Sequence, residues 1–179
     1  LFNLNNSKLV ITATDRYRLA EISIPVKTEV NKAVIVPHRS VAEISRAIAL
    51  STNEIKLLIS STQIAVTVGG TYLVSRLIDG QYPEYSQIIP TELGTIITLE
   101  HADLLSALKT SGIFSKSAGS VTLVYDSEKQ SIQTQSASQG VGESVVDIPC
   151  SVKGNSGSVI MNYRYMMDLL TNTDQKTLN

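Results

Sequence analysis

The sequence predicts an α+β fold in which strands dominate, and three observations predict it. Val, Ile and Thr number 16, 18 and 16, so 50 of the 179 residues are β-branched; such side chains suit a pleated, half-buried strand better than a long helix. Short strand-like runs bounded by turn residues fill most of the chain, and three short segments carry a helical period. A strand–helix pattern also recurs about 125 residues along the chain.

The elements follow in order. LVITA and LAEISIP within 9–25 read as a hairpin, with TDRYR between them supplying the turn chemistry of Asp15. VIV at 34–36 is a short buried strand, and Pro37 stands where a helix begins. Over 38–50, Val41, Ile44 and Ile48 fall on one helical stripe. Residues 54–78 return to strands, EIKLLIS, QIAVTVG and TYLVSRLID, with Gly69-Gly70 as a tight turn. The stretch 79–94 breaks both periods and reads as a linker, which places a domain boundary near 91. Beyond it come a strand at TIITL, a helix over 101–114 burying Leu104, Leu105 and Leu108, and strands near 120–126, 130–136 and 143–150. A last strand–helix unit, SVIMNYRYMMDLL, precedes a polar tail.

The repeat is read by direct superposition. VIVPHRSVAEIS (34–45) lies over VIMNYRYMMDLL (159–170) at a constant offset of 125 without gaps. Val34 meets Val159, Arg39 meets Arg164, Glu43 meets Asp168 and Ile44 meets Leu169, while Ile24-Pro25 meets Ile148-Pro149 at an offset of 124. Two matches at nearly one offset indicate a repeated strand–helix–strands unit.

Composition excludes several classes. With 16 acids, 15 bases and a formal net charge of −1, the chain lacks the positive excess of a strongly basic nucleic-acid binder. One Cys excludes a disulfide framework and a cysteine-based zinc site. No apolar run approaches the ~18 residues of a membrane span. The opening LFNLNNSKLVITA has no signal-segment pattern, so a cytoplasmic protein is expected. His38 and His101 have no spaced ligand partners and read as exposed helix-start histidines. Cys150 reads as a buried small hydrophobe and Met161, Met166 and Met167 as core. Gly140-Val141-Gly142 lacks the third glycine and following helix of a dinucleotide loop. No catalytic set, metal site or cofactor is expected.

TATDRYRLA (12–20), VIVPHRSVAEISR (34–46), LIDGQYPEYSQIIP (77–90) and NYRYMMDLL (162–170) occur in this order in a known family. On these motifs the chain resembles the bacterial sliding clamp, the beta subunit of DNA polymerase III. The first motif departs from the family's usual Ala-Thr-Asp-Gly-His-Arg-Leu-Ala at Arg16 and Tyr17. The resemblance maps 1–91 onto the later part of the clamp's second domain and its linker, and 92–179 onto most of the third domain without its final strands. It implies the DNA clamp fold, with sheets outside and helices lining a ring. It also implies a homodimer that closes around double-stranded DNA without reading sequence, and these residues alone are not expected to close one.

The resemblance further implies an apolar groove at the junction of the second and third domains. That groove takes short linear motifs of the type Gln-Leu-x-Leu-Phe from the polymerase III catalytic subunit, the clamp loader and other partners. Matching positions are Thr14, Tyr17, Arg18 and Leu19 in the hairpin, Pro83, Gln87 and Ile88 in the linker, and Asn162 and Tyr165 in the last helix. Leu19, Pro83 and Ile88 would bury a partner's apolar side chain, with Arg18, Asn162 and Tyr165 at a polar rim. The plainer alternatives are a solvated turn for Arg16–Arg18 and core filling for Ile88. Arg39, Arg46 and Lys109 are the weak DNA-facing candidates. Glu43 stands four after Arg39 and three before Arg46, so intrahelical ion pairs on a solvated face are the competing reading. Asp103 likewise offsets Lys109. The function expected is a replication processivity factor, an accessory subunit without chemistry of its own; the alternative is a β-rich adaptor that does not encircle DNA.

Overall fold

A pair of residues suited to left-handed backbone starts the chain's first hairpin. The computed structural model describes residues 1–52, 54–115 and 119–179. In it Asn6 and Ser7 sit at φ +48° and +62°, the two positive values that a tight type I′ turn needs. They join β1 (Phe2–Asn5) to β2 (Lys8–Thr14). β1 is not among the expected strands, although Phe2 and Leu4 alternate with Asn3 and Asn5 in the period of a half-buried strand. A four-residue turn leads to β3 (Leu19–Pro25), the second arm of the expected hairpin.

The chain then returns as β4 (Lys32–Val34) beside β1, giving the sheet order β3-β2-β1-β4. This is a Greek key, three meandering strands and a fourth that comes back to the first. The strand expected at 34–36 thus begins two residues earlier and ends at Val34, with Ile35 in a single bridge to Ile78. Pro37 precedes α1 (His38–Ala49) as its cap residue, and its carbonyl accepts the first helical bond from Val41 N at 3.1 Å. Ile44 is buried, with Val41 and Ile48 partly buried beside it. β5 (Ile55–Ile59), β6 (Gln63–Val68) and β7 (Thr71–Arg76) form a three-stranded sheet against α1, burying Ile64 and Val66. Full burial of each such side chain contributes roughly 1.5–3 kcal/mol. The exposed Arg46–Glu43 ion pair on α1 is worth at most about 0.5 kcal/mol, so apolar packing holds the helix down.

These elements make up one compact unit, Leu1–Gln87; Ile88–Asn179 form a second. Its elements are β8 (Thr95–Glu100), α2 (His101–Ile113), β9 (Ser120–Asp126), β10 (Ser131–Ser138), β11 (Gly142–Pro149), β12 (Ser151–Gly154), β13 (Gly157–Asn162), α3 (Tyr163–Leu170) and β14 (Thr177–Leu178). The main sheet has the order β11-β10-β9-β13, the same Greek key, and a second sheet runs β12-β8-β14. α2 lies on β11, β10 and α3 over a core of Leu99, Leu104, Ala107, Leu108, Val121, Leu123, Ile132, Ile148 and Leu170. Leu105, expected to be buried, is half-buried; Ala107 and Ser111 complete the buried stripe instead. β12 and β14 are not among the expected strands. β14 lies in the supposed polar tail, where its two residues pair with the end of β8 and Lys176 O accepts from His101 N.

The repeat is present as architecture. α1 starts at 38 and α3 at 163, an offset of 125, and β3 and β11 end at Pro25 and Pro149, an offset of 124. Burial does not follow the superposition. Ile44 is buried whereas Leu169 is 57% exposed, and α3 buries Leu170 instead. The reason is the covering layer: α1 rests on the sheet β5-β6-β7, while α3 rests on α2. Gly112 permits that helix contact, since a Cβ there would stand 2.6 Å from the Tyr163 ring.

Within this core Ser111 and Thr134 are fully buried and share a 2.7 Å hydroxyl hydrogen bond. Thr134→Val should therefore destabilise the chain by about 1–3 kcal/mol by orphaning the Ser111 hydroxyl, and adding Ser111→Ala should restore most of the loss. Denaturant unfolding of the single and double variants measures this, and a double variant as unstable as the sum of its singles would contradict it.

Candidate functional site

The β2–β3 turn is built from its own polar side chains. Asp15 Oδ1 accepts from the backbone N–H groups of Tyr17 and Arg18 at 3.1 and 3.0 Å, and Asp15 Oδ2 accepts from Arg18 Nε at 3.0 Å. Thr14 Oγ1 donates to Arg18 O at 2.7 Å and accepts from Arg16 N at 3.2 Å. The bond from Tyr17 N, ahead of those from Arg18, holds the Asp15 carboxyl below its ordinary 3.8. A lowered carboxyl stabilises the turn above the unfolded-state pKa, and that contribution disappears as pH falls through the lowered value. Asp15 thus performs the turn role expected of it, and Thr14 and Arg18 are engaged in the same turn. Tyr17 projects from it 81% exposed, while Leu19 is half-buried at the start of β3.

The segment after β7 has no ladder pairing beyond the Ile35–Ile78 bridge and is held to the hairpin by two tyrosines. Thr12 Oγ1 donates to Tyr85 Oη at 3.0 Å, and Tyr85 Oη donates to Glu21 Oε2 at 2.6 Å. Tyr82 Oη donates to Thr12 O at 3.3 Å, and the two rings stand edge to face with centroids 6.1 Å apart. The hydrogen bond to Glu21 is the chief cause of a raised Tyr85 pKa, and burial raises that of Tyr82, so both phenols remain donors at neutral pH. Pro83 and Gln87 are exposed on this tethered segment. A wide depression of about 1260 Å³ is lined chiefly by residues 32–35, 61–63 and 76–86, and of the candidate residues it takes in Pro83 alone. Tyr82, Tyr85, Thr12 and Glu21 are not among the residues expected from the sequence. Two tyrosines flanking a proline in an otherwise polar linker were the available signal.

In the second unit Ile88 is 72% exposed, which removes core filling as its explanation. Asn162 caps α3, its Oδ1 accepting from Arg164 N at 3.0 Å, and Tyr165 is half-buried one turn into the helix. Gly119, at φ +71°, lets the chain pass this cap, because a Cβ there would meet Asn162 Oδ1 at 2.8 Å. Among the DNA-facing candidates Arg39 and Lys109 are exposed, and Arg46 is ion-paired with Glu43 as the competing reading held.

The remaining residues divide. His38 is exposed, but His101 is half-buried with Nε2 2.8 Å from Leu170 O, which corrects its reading as an exposed helix-start histidine. Cys150 is half-buried rather than buried, packs against the core of the second unit, and has its thiol pKa raised by burial. Met161, Met166 and Met167 pack partly buried against the same core. Gly140 and Gly142 shape the β10–β11 turn. Among the described residues no three His, Cys, Asp or Glu side chains gather as a metal site, and no helix is long and apolar enough to cross a membrane.

Two successive units, each with a Greek-key sheet leading into a helix, define a protein of repeated clamp-type domains. The family model for the central domain of the DNA polymerase III beta subunit matches residues 1–84. The beta sliding clamps of Staphylococcus epidermidis and Staphylococcus aureus are 25% and 24% identical over 173 residues, 96% of this chain and 46% of each relative. The DNA polymerase sliding clamp of Bacillus subtilis superimposes with a TM-score of 0.91 at 25% identity, over 98% of this chain and 47% of its own. The DNA polymerase III beta subunit of Pseudomonas aeruginosa gives 0.89 at 21% identity, over 98% and 48%. The chain is thus similar along nearly its whole length to beta sliding clamps, and its first 84 residues match the model of the central domain of the DNA polymerase III beta subunit. It spans about half the length of the relatives it matches.

Arg16 holds φ +77° at the tip of the β2–β3 turn, where the family pattern usually has Gly. Arg16→Gly should leave thermal stability equal or higher, whereas Arg16→Val should cost about 1–2 kcal/mol through left-handed strain. Thermal unfolding of both variants decides the point, and equal tolerance of Val and Gly would contradict it.

Proposed function

We propose that this chain is the part of a replication clamp that tethers partner proteins to duplex DNA, with residues 1–91 acting as the later part of the second domain and 92–179 as most of the third. The observation that carries the reading is likeness along 98% of the chain to a bacterial polymerase clamp, at a TM-score of 0.91. In the full-length protein two subunits close a ring around double-stranded DNA in the cytoplasm. The ring is an accessory subunit of a DNA-directed DNA polymerase, and the transfer chemistry belongs to the polymerase.

Sliding requires phosphate attraction without base contacts, because base-edge hydrogen bonds would pin the ring to a sequence. Arg39, Arg46 and Lys109 supply a modest attraction of that kind, and the Glu43 pairing of Arg46 weakens it further. Thr14, Tyr17, Arg18, Leu19, Pro83 and Gln87 of the first unit and Ile88, Asn162 and Tyr165 of the second receive the partner's linear motif. The exposed Tyr17 and Ile88 support this assignment, since uncovered large apolar side chains fit a protein-binding surface.

The product of the whole gene should be retained on circular DNA and lost from the same DNA once it is linearised. Equal retention on both favours an adaptor that does not encircle DNA. In calorimetry a Gln-Leu-x-Leu-Phe peptide should bind that protein, and Leu19→Asp or Ile88→Asp should weaken binding at least tenfold, about 1.4 kcal/mol. Unchanged affinity in both variants would sink the peptide assignment.

A further inference from the structure

The peptide-binding reading uses Pro83 and Gln87 but leaves unexplained why the segment that carries them contains two tyrosines. Residues 79–87 hold no place in a sheet ladder, and an irregular segment of this length costs conformational entropy to hold in one geometry. What holds it is local. Tyr85 Oη sits between Thr12 and Glu21, which are direct cross-strand partners in the β2–β3 hairpin. The next cross-strand pair on the same face, toward the turn, is Thr14 with Leu19. Successive residues on one strand face are about 6.5–7 Å apart, so the phenol is anchored one pleat period from Leu19. Along its own chain Tyr85 stands midway between the other two contributors, two residues after Pro83 and two before Gln87.

Resting on that reading, we propose that Tyr85 is a positioning residue for peptide capture: its hydroxyl latches the Pro83–Gln87 segment to the Thr12–Glu21 pair and so sets that segment's register against Leu19. The bond to Glu21 is short and ends on a carboxylate, the strong kind of hydrogen bond. Thr12 is itself fully buried, so the latch is anchored in the sheet. Tyr82 adds a longer bond to the Thr12 carbonyl and an edge-to-face ring contact, which steadies the Tyr85 ring. Tyr85 makes no contact with the partner in this scheme; it determines affinity by presenting Pro83 and Gln87 already ordered.

The test uses the full-length protein, a synthetic Gln-Leu-Ser-Leu-Phe peptide, and the variants Tyr85→Phe, Glu21→Gln and the two combined. Tyr85→Phe keeps the ring and removes only the hydroxyl. The expected result is binding about three- to tenfold weaker for each single variant, a double variant no weaker than Tyr85→Phe alone, and melting temperatures close to wild type. The coupling in affinity separates positioning from general loosening, which would lower the melting temperature and leave affinity additive. Wild-type binding with unchanged affinity in Tyr85→Phe overturns the latch and leaves the peptide site standing. No binding by the wild type overturns the peptide site and the latch together.

Discussion

In each unit everything else depends on the antiparallel return of the fourth strand to the first, β4 to β1 and β13 to β9. A meander of three strands has an apolar face that needs a covering layer. The returning strand widens the sheet and delivers the chain into a helix one or a few residues later. In the first unit that helix closes the core with the sheet β5-β6-β7, and in the second it closes against α2. The same sequence unit therefore meets two different covering layers, and its apolar residues are buried differently in each.

Polar side chains do comparable work at the turns. Asp15 satisfies two backbone donors of the β2–β3 turn, and Asp126 does the same for Glu128 and Lys129 after β9. Such Asx-type turns need no apolar packing, which frees the β2–β3 turn to project Tyr17 into solvent and to hold Leu19 at its margin. The exposed surface at this hairpin is thus a by-product of self-sufficient turn chemistry, and the tyrosine tether brings a second exposed segment to the same hairpin. The charges follow a similar economy, for the helix with the most suggestive basic residues neutralises one of them internally.

Much of the fold was legible because local rules dominate it. The hairpin at 9–25, the stripe of α1, the Gly69-Gly70 turn and the bounds of β9 all follow from period and turn residues that act over a few positions. The elements that escaped are short or rich in Asn, Ser and Thr: β1, β12 and β14 gain strand geometry from neighbours distant in sequence. His101 reads as exposed from its position at a helix start, yet α3 brings the Leu170 carbonyl to its ring. The family motifs identified the candidate peptide-binding residues, whereas the bonds joining Tyr85 to Thr12 and Glu21 span 73 and 64 residues and leave no local pattern.

By itself the sequence determined the element types, the repeat of about 125 residues and the resemblance to the sliding clamps, because periodicity, turn chemistry and motif order are written along the chain. Tertiary structure decided which repeated positions are buried, which polar groups pair inside the core and what tethers the segment after β7. The physical reason is the same in each case. Burial and long-range hydrogen bonds depend on which layer comes to rest on a side chain, and that layer is set by residues far away in sequence.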